Sequence, residues 1–175
     1  KNFCSLLMLS AGTPMFRMGD EFLQTQGGNN NPYNQDNTTT WLDWRRLDEH
    51  RDVFRFFQRM IAFRKTHRSL GRPQFWREDI RWYGTSHAVD MSDSSSSLAY
   101  CLHGASMGDA DLYVMINASS ELLRFGIQEG VPGQWRRAVD TAELTPDDIV
   151  DAGTEPSVPS SFYEVQPNSI VVLVR

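Results

Sequence analysis

Leu98-Ala99-Tyr100-Cys101-Leu102-His103-Gly104-Ala105-Ser106-Met107-Gly108-Asp109-Ala110-Asp111-Leu112-Tyr113-Val114-Met115-Ile116-Asn117 is the stretch from which the fold follows. Two β-rich runs, 98–103 and 112–117, flank a centre of Gly, Ser and Asp, which is the pattern of a hairpin. The centre, Gly104-Ala105-Ser106-Met107-Gly108, also matches the G-x-S-x-G nucleophile pattern. That motif works only where a strand turns sharply into a helix. Here a second strand follows, so the segment reads as a turn. Working outward, similar runs occur at 80–84, 134–139, 162–165 and 169–174. Ser/Gly/Asp/Pro stretches separate them, including 92–97 and 154–161, and no helical period interrupts them. About 100 residues of this texture predict an antiparallel β-sandwich of roughly six to eight strands.

Upstream the texture is different. Residues 2–11 place Phe3, Leu6, Leu7 and Ser10 on one helical face, with Cys4, Met8 and Ala11 beside it. A helix this apolar should be buried. Gly12 and Pro14 stop it, and residues 14–18 form a strand candidate ending in Gly19-Asp20-Glu21. A long polar loop occupies 22–46 and closes on Trp41 and Trp44. Helical spacing returns over 48–69, where Val53, Phe57, Met60, Ile61 and Arg64 make a stripe widened by Phe54, Phe56 and Phe63. Gly71-Arg72-Pro73 ends that helix.

The predicted fold class is therefore mainly β: a C-terminal antiparallel β-sandwich over 73–175. Before it, 1–72 form a helix–strand–helix remnant of an incomplete (β/α)8 barrel. A single strand cannot close a barrel, and the chain starts at Lys1 without an initiator Met, so the start reads as a cut. The apolar faces of 2–18 and 53–63 require cover. Two arrangements supply it: a two-fold dimer, or the helical segment folded back onto its own sandwich.

Composition narrows the function classes. Net charge is −5 and no Lys/Arg cluster stands out, which disfavours nucleic acid. No apolar run approaches the roughly 20 residues that span a bilayer, so no membrane partner is expected. Cys4 and Cys101 belong to no disulfide framework, which points to a reducing compartment, the cytoplasm. His50, His67, His87 and His103 show no metal-ligand spacing, so neither metal nor cofactor is expected. Asn37-Thr38-Thr39 and Asn117-Ala118-Ser119 match the short glycosylation pattern, and both read as chance matches.

Two candidate sites remain. Asp20 and Glu21 follow the strand candidate, and the C-terminal ends of barrel strands carry active-site groups. Retaining glycosidases need two carboxyls about 5 Å apart, whereas adjacent strand residues point to opposite faces. The pair reads either as support for a site or as a structural ion-pair group. The loop Gly27-Gly28-Asn29-Asn30-Asn31-Pro32-Tyr33-Asn34-Gln35-Asp36-Asn37-Thr38-Thr39-Thr40-Trp41 combines planar amides, a carboxylate and aromatic rings. Sugars are held by that combination. The alternative is that Asn and Gly are present because they tolerate unusual backbone angles.

Leu9-Ser10-Ala11-Gly12-Thr13-Pro14-Met15-Phe16-Arg17-Met18-Gly19-Asp20-Glu21-Phe22 resembles the eighth-strand segment of the α-amylase superfamily, with its G-x-P-x-x-x-x-G-D-E pattern. The run Thr25-Gln26-Gly27-Gly28-Asn29-Asn30-Asn31-Pro32-Tyr33-Asn34-Gln35-Asp36-Asn37, followed by Trp41-Leu42-Asp43-Trp44, is narrower. It resembles bacterial glycogen debranching enzymes and isoamylases. The resemblance is specific over 5–70 and loose beyond. Arg17 departs from it, standing where an apolar residue is more usual.

The resemblance implies hydrolysis of α-1,6 branch linkages of glycogen or limit dextrin, with retention. It also implies that the catalytic Asp, Glu and Asp lie at barrel strands preceding residue 1. No catalytic group is then expected in this chain, and the sandwich would have a stabilising role. Asp20, Glu21, Asn29, Asn30, Asn31, Tyr33, Asp36 and Trp41 would lie on the substrate side, with branched α-glucan as the partner. Two further classes stay open: a free-standing glucan-binding sandwich, and a hydrolase using Ser106 or Asp20 and Glu21.

Overall fold

The computed structural model describes all 175 residues. Helix α1 spans Asn2–Leu9, α2 Arg45–Glu49 and α3 Arg51–Thr66. Eight strands follow: β1 Ile80–Tyr83, β2 Ser97–Leu102, β3 Leu112–Asn117, β4 Leu123–Gly126, β5 Trp135–Asp140, β6 Ser157–Val158, β7 Phe162–Val165 and β8 Ser169–Val174. Six of them form one sheet in the order β1-β2-β3-β8-β5-β6, and β4 pairs with β7 in a second. Every pairing is antiparallel. The fold is mainly β, as the turn-punctuated sequence predicts.

Alternation along the strands divides the core in two. Leu112, Val114, Ile170 and Val172 face the helices, while Tyr113, Met115, Val171 and Leu173 face the β4–β7 sheet. A bulge between Arg137 and Val139 breaks the alternation in β5, and Ala138 and Val139 both join the helix-side core. On the other face, Phe125 and Val165 bring the small sheet down onto Tyr113 and Trp135.

The helices lie against the large sheet. Val53, Phe56, Phe57 and Met60 are the buried face of α3, spaced i, i+3, i+4, i+7, and Cys4, Met8 and Leu9 of α1 join the same core. Each such side chain contributes roughly 1.5–3 kcal/mol on burial. Of the two arrangements expected for this apolar surface, folding back onto the chain's own sandwich is the one seen within a single copy. Arg64, expected in the apolar stripe, instead caps backbone carbonyls. Its guanidinium donates to Ser10 O at 2.8 Å and Leu70 O at 2.9 Å, and also to Met8 O and Gly12 O. One side chain thus satisfies the end of α1 and the turn after α3.

The strand expected at residues 14–18 does not form. Those residues pair with no strand, Met15 is 83% exposed, and Arg17 is exposed as well. A strand exists only through ladder partners, and this chain offers none at that position. The helix expected over 48–69 is split: His50, at φ −122° and ψ 39°, separates α2 from α3. No helix is long and apolar enough to cross a membrane.

Candidate functional site

The polar loop is held at its two ends by a few contacts. Gln24 clasps it: its Nε2 donates to Trp41 O at 3.0 Å, and its Oε1 accepts from Asp43 N at 3.1 Å. Arg46 Nε donates to Leu23 O at 2.8 Å, and buried Phe22 lies 5.5 Å from the Trp44 ring. Gly19 precedes the clasp at φ 100°, and a Cβ there would meet Gln24 Cβ at 2.6 Å, so glycine is required on both grounds. At the far end Asp43 holds Arg45 through two oxygens, and that hydrogen bonding keeps its carboxyl down at about 2.

Within the loop, Asn29 Oδ1 accepts from Asn31 N at 3.0 Å and Asn37 Oδ1 from Thr39 N at 2.9 Å, both local asparagine turns. Asp36 Oδ1 accepts from Trp41 Nε1 at 2.7 Å, which fixes the indole by its edge. Two of the asparagines therefore serve backbone geometry. Asn30, Asn31 and Tyr33 make no side-chain hydrogen bond, and Tyr33 is 86% exposed while Trp41 is 56% exposed. The loop is an open surface with amides and rings turned outward, not an enclosed pocket.

Asp20 and Glu21 lie in a short 3-10 turn, Asp20–Phe22. Asp20 Oδ2 accepts from Arg17 N at 2.8 Å and Glu21 Oε2 from Gly19 N at 2.9 Å. Each carboxylate is committed to the turn that carries it. Neither is placed as a free acid opposite the other.

The G-x-S-x-G segment is a turn between β2 and β3, whose register pairs Leu102 with Leu112. Gly104 is needed there because an added Cβ would lie 2.2 Å from Ala110 O. The motif arises from close backbone approach, and Ser106 stays exposed. Ser69, His67 and Asp109 also converge. Asp109 is their hub: Oδ1 meets His67 Nδ1 at 3.0 Å, and Oδ2 accepts from Ser69 N and Oγ at 2.9 and 2.6 Å. Burial pushes the Asp109 carboxyl up, but the Ser69 and His67 hydrogen bonds outweigh it and hold it below its usual range. The serine bonds to the carboxylate and not to the histidine, so no imidazole base addresses its hydroxyl as a catalytic triad requires. The trio ties the end of α3 to the hairpin.

One cluster was not legible in the linear sequence. Cys101, His103 and Glu129 bring their ligand atoms within 4.8 Å of one another. Cys101 lies on β2 and His103 just past its end, two residues apart, but Glu129 arrives from the loop beyond β4. The Cys-x-His spacing was the only available signal, and it is too short to be specific.

The helix-capped, two-sheet sandwich matches the C-terminal domains of pullulanases and isoamylases. Solved structures share it: pullulanase type I from Bacillus subtilis superimposes over 98% of this chain with a TM-score of 0.76 at 19% identity, using 22% of its own length. The pullulanase of Bacillus acidopullulyticus gives 0.73 at 21% identity, again over 98% of this chain and 19% of its own. Among curated sequences, isoamylase of Pseudomonas amyloderamosa is 39% identical over 145 residues, 78% of this chain and 19% of that protein. Chloroplastic isoamylase 3 of Oryza sativa is 36% identical over 176 residues, 99% of this chain and 22% of that protein. A glycogen operon GlgX homologue of Haemophilus influenzae is 47% identical over 77 residues, 43% of this chain and 11% of that protein. No family model matches. The chain belongs with the isoamylase-type debranching enzymes and corresponds to their C-terminal part. It spans about a fifth of the length of the isoamylases it matches.

Proposed function

We propose that this chain is the C-terminal part of an enzyme that hydrolyses α-1,6 branch linkages of glycogen or limit dextrin with retention. The observation that carries this reading is the 36% identity to an isoamylase over 99% of the chain. In this reading the nucleophile, the acid/base and the stabilising carboxylate belong to barrel strands that precede residue 1. Residues 1–72 complete the barrel, and 73–175 form a sandwich that braces its end. The retaining mechanism requires two carboxyls about 5 Å apart and free to act. Asp20 and Glu21, each bound to its own turn, do not supply them. The exposed side chains of Phe3, Met15 and Met18, on the segment that would be the last barrel unit, fit burial against the other strands.

The loop faces substrate in this reading. Tyr33 and Trp41 offer ring faces to sugar C–H surfaces, and Asn29, Asn30, Asn31 and Asp36 offer amide and carboxylate groups to hydroxyls. An acidic chain with two buried free thiols suits a reducing cytoplasm. Reducing-end release from limit dextrin is the test. The 175-residue chain should show none, and a longer protein carrying the barrel should show turnover that Ser106→Ala leaves unchanged. Turnover by the chain alone would overturn the reading.

A second reading, a free-standing glucan-binding module, draws on the exposed Tyr33, Trp41 and Trp44. It predicts retardation of the chain in glycogen-containing gels and weaker retardation for Trp41→Ala. Absence of retardation at high glycogen eliminates it. The apolar side chains left exposed on residues 2–18, Phe3, Met15 and Met18, predict that the isolated chain self-associates as a dimer, and a monodisperse monomer in sedimentation would disprove that.

A further inference from the structure

The geometry points to a divalent transition-metal site, of the kind that takes Zn²⁺, formed by Cys101 Sγ, His103 Nε2 and a carboxylate oxygen of Glu129. The site lies on the sandwich side of the large sheet, apart from the polar loop, and is independent of the debranching reading.

Three observations carry it. The first is spacing. Zinc binds sulfur at about 2.3 Å and nitrogen or oxygen at about 2.0–2.2 Å, so tetrahedral N and O ligands stand roughly 3.4 Å apart. His103 Nε2 and Glu129 Oε1 are 3.3 Å apart, and all three ligand atoms lie within 4.8 Å.

The second is an orphan. His103 Nε2 is buried and has no hydrogen-bond partner, despite the nearby carboxylate. Hydrogen-bond partners face one another, whereas two ligands of one ion stand side by side with lone pairs converging on a third point. A buried polar atom without a hydrogen bond is costly, so its placement calls for a partner.

The third is the frame. Cys101 is fully buried on β2, and the backbone N–H of His103 donates to Asp79 O at 2.7 Å. Glu129 is fixed twice: its carbonyl accepts from Trp135 Nε1 at 2.6 Å, and its Oε1 accepts from Tyr83 OH at 2.8 Å. On the far side of the imidazole, Asp111 Oδ2 stands 4.0 Å from Nδ1, the side from which carboxylates orient metal-bound histidines.

Charge favours the same ion. A thiolate, a carboxylate and a neutral imidazole balance a 2+ cation with no net charge left at this half-buried site. The metal displaces the Cys101 thiol proton to solvent, one proton for one Zn–S bond. A thiolate and an imidazole select zinc-like ions over Ca²⁺ or Mg²⁺, which take oxygen ligands.

The test is titration of tag-free, metal-stripped chain with Co²⁺, followed by displacement with Zn²⁺. The proposal expects one equivalent bound, with a near-ultraviolet thiolate-to-cobalt charge-transfer band that Zn²⁺ removes. Cys101→Ser should lose the band. His103→Gln, at a partly exposed position that spares folding, should weaken binding by at least about tenfold. Cys4→Ser, the other buried cysteine, should change neither. Absence of the band overturns the site, as does cobalt binding of equal strength in His103→Gln.

Discussion

Replacing Asn117 should cost this fold more than any other single polar substitution in the sandwich. Its side chain is buried at the end of β3, and Nδ2 donates to Glu121 O at 2.8 Å and to Val165 O and Gln166 O at 3.0 Å. Its Oδ1 accepts from Ser119 N at 2.9 Å and from Ser119 Oγ at 2.7 Å. One amide thus pins the β3–β4 turn and the end of β7 to the large sheet, across the gap between the two sheets. Asn117→Ala removes these bonds and strands the buried Val165 carbonyl together with part-buried backbone groups of Ser119, Glu121 and Gln166. At about 1–3 kcal/mol for each group left unpaired, two or three such losses amount to roughly 3–6 kcal/mol. Asn117→Asp keeps the shape but turns the donor into an anion facing three carbonyl oxygens, so it should be at least as damaging. For a chain this size each kcal/mol moves the melting temperature by roughly 2–4 °C, so a drop of about 8–16 °C is expected for a 4 kcal/mol loss. Calorimetry and urea denaturation measure it. A loss below about 1 kcal/mol for both variants would refute the view that this amide joins the sheets.

Acid should destabilise the chain through Asp148. Burial pushes that carboxyl up, but hydrogen bonds from Lys1, Thr145 and Arg55 outweigh it and hold it below its usual range. A depressed folded value stabilises above the unfolded pKa of about 3.9 and is lost as pH falls through the folded value. The urea midpoint should therefore fall below about pH 4, with a shallower fall in Asp148→Asn; equal slopes would contradict the assignment. Gly104→Ala forces a Cβ to within 2.2 Å of Ala110 O and should cost about 1–3 kcal/mol, while exposed Ser106→Ala should cost under about 0.5 kcal/mol. The reverse ranking in thermal melts would mean that the turn serves the serine. Arg64→Met should cost about 2–4 kcal/mol by leaving four carbonyls uncapped, and amide exchange should rise at the end of α1 and in residues 67–71.

The sequence by itself determined the strands whose own residues carry the signal. β3 and β8 alternate apolar residues to both faces, with Gly108 to Asp111 before β3 and Pro167-Asn168 before β8 marking turns, so their starts emerge from local chemistry. The Trp41–Trp44 closure of the loop was legible for the same reason. β4 and β6 were not: Leu123–Gly126 is short and half polar, and two residues, Ser157–Val158, have no period to detect. Residues 14–18 show the converse, a strand-like composition with no ladder to join. Only the tertiary structure inserted β8 between β3 and β5 and laid α1 and α3 on the sheet. It alone gave Arg64 its four carbonyls and brought Glu129 to Cys101 and His103. Periodicity encodes which face of an element is apolar, but not which distant element will cover it. Pairing and convergence are set by the lowest free energy of the whole chain, through contacts between residues that no local pattern relates.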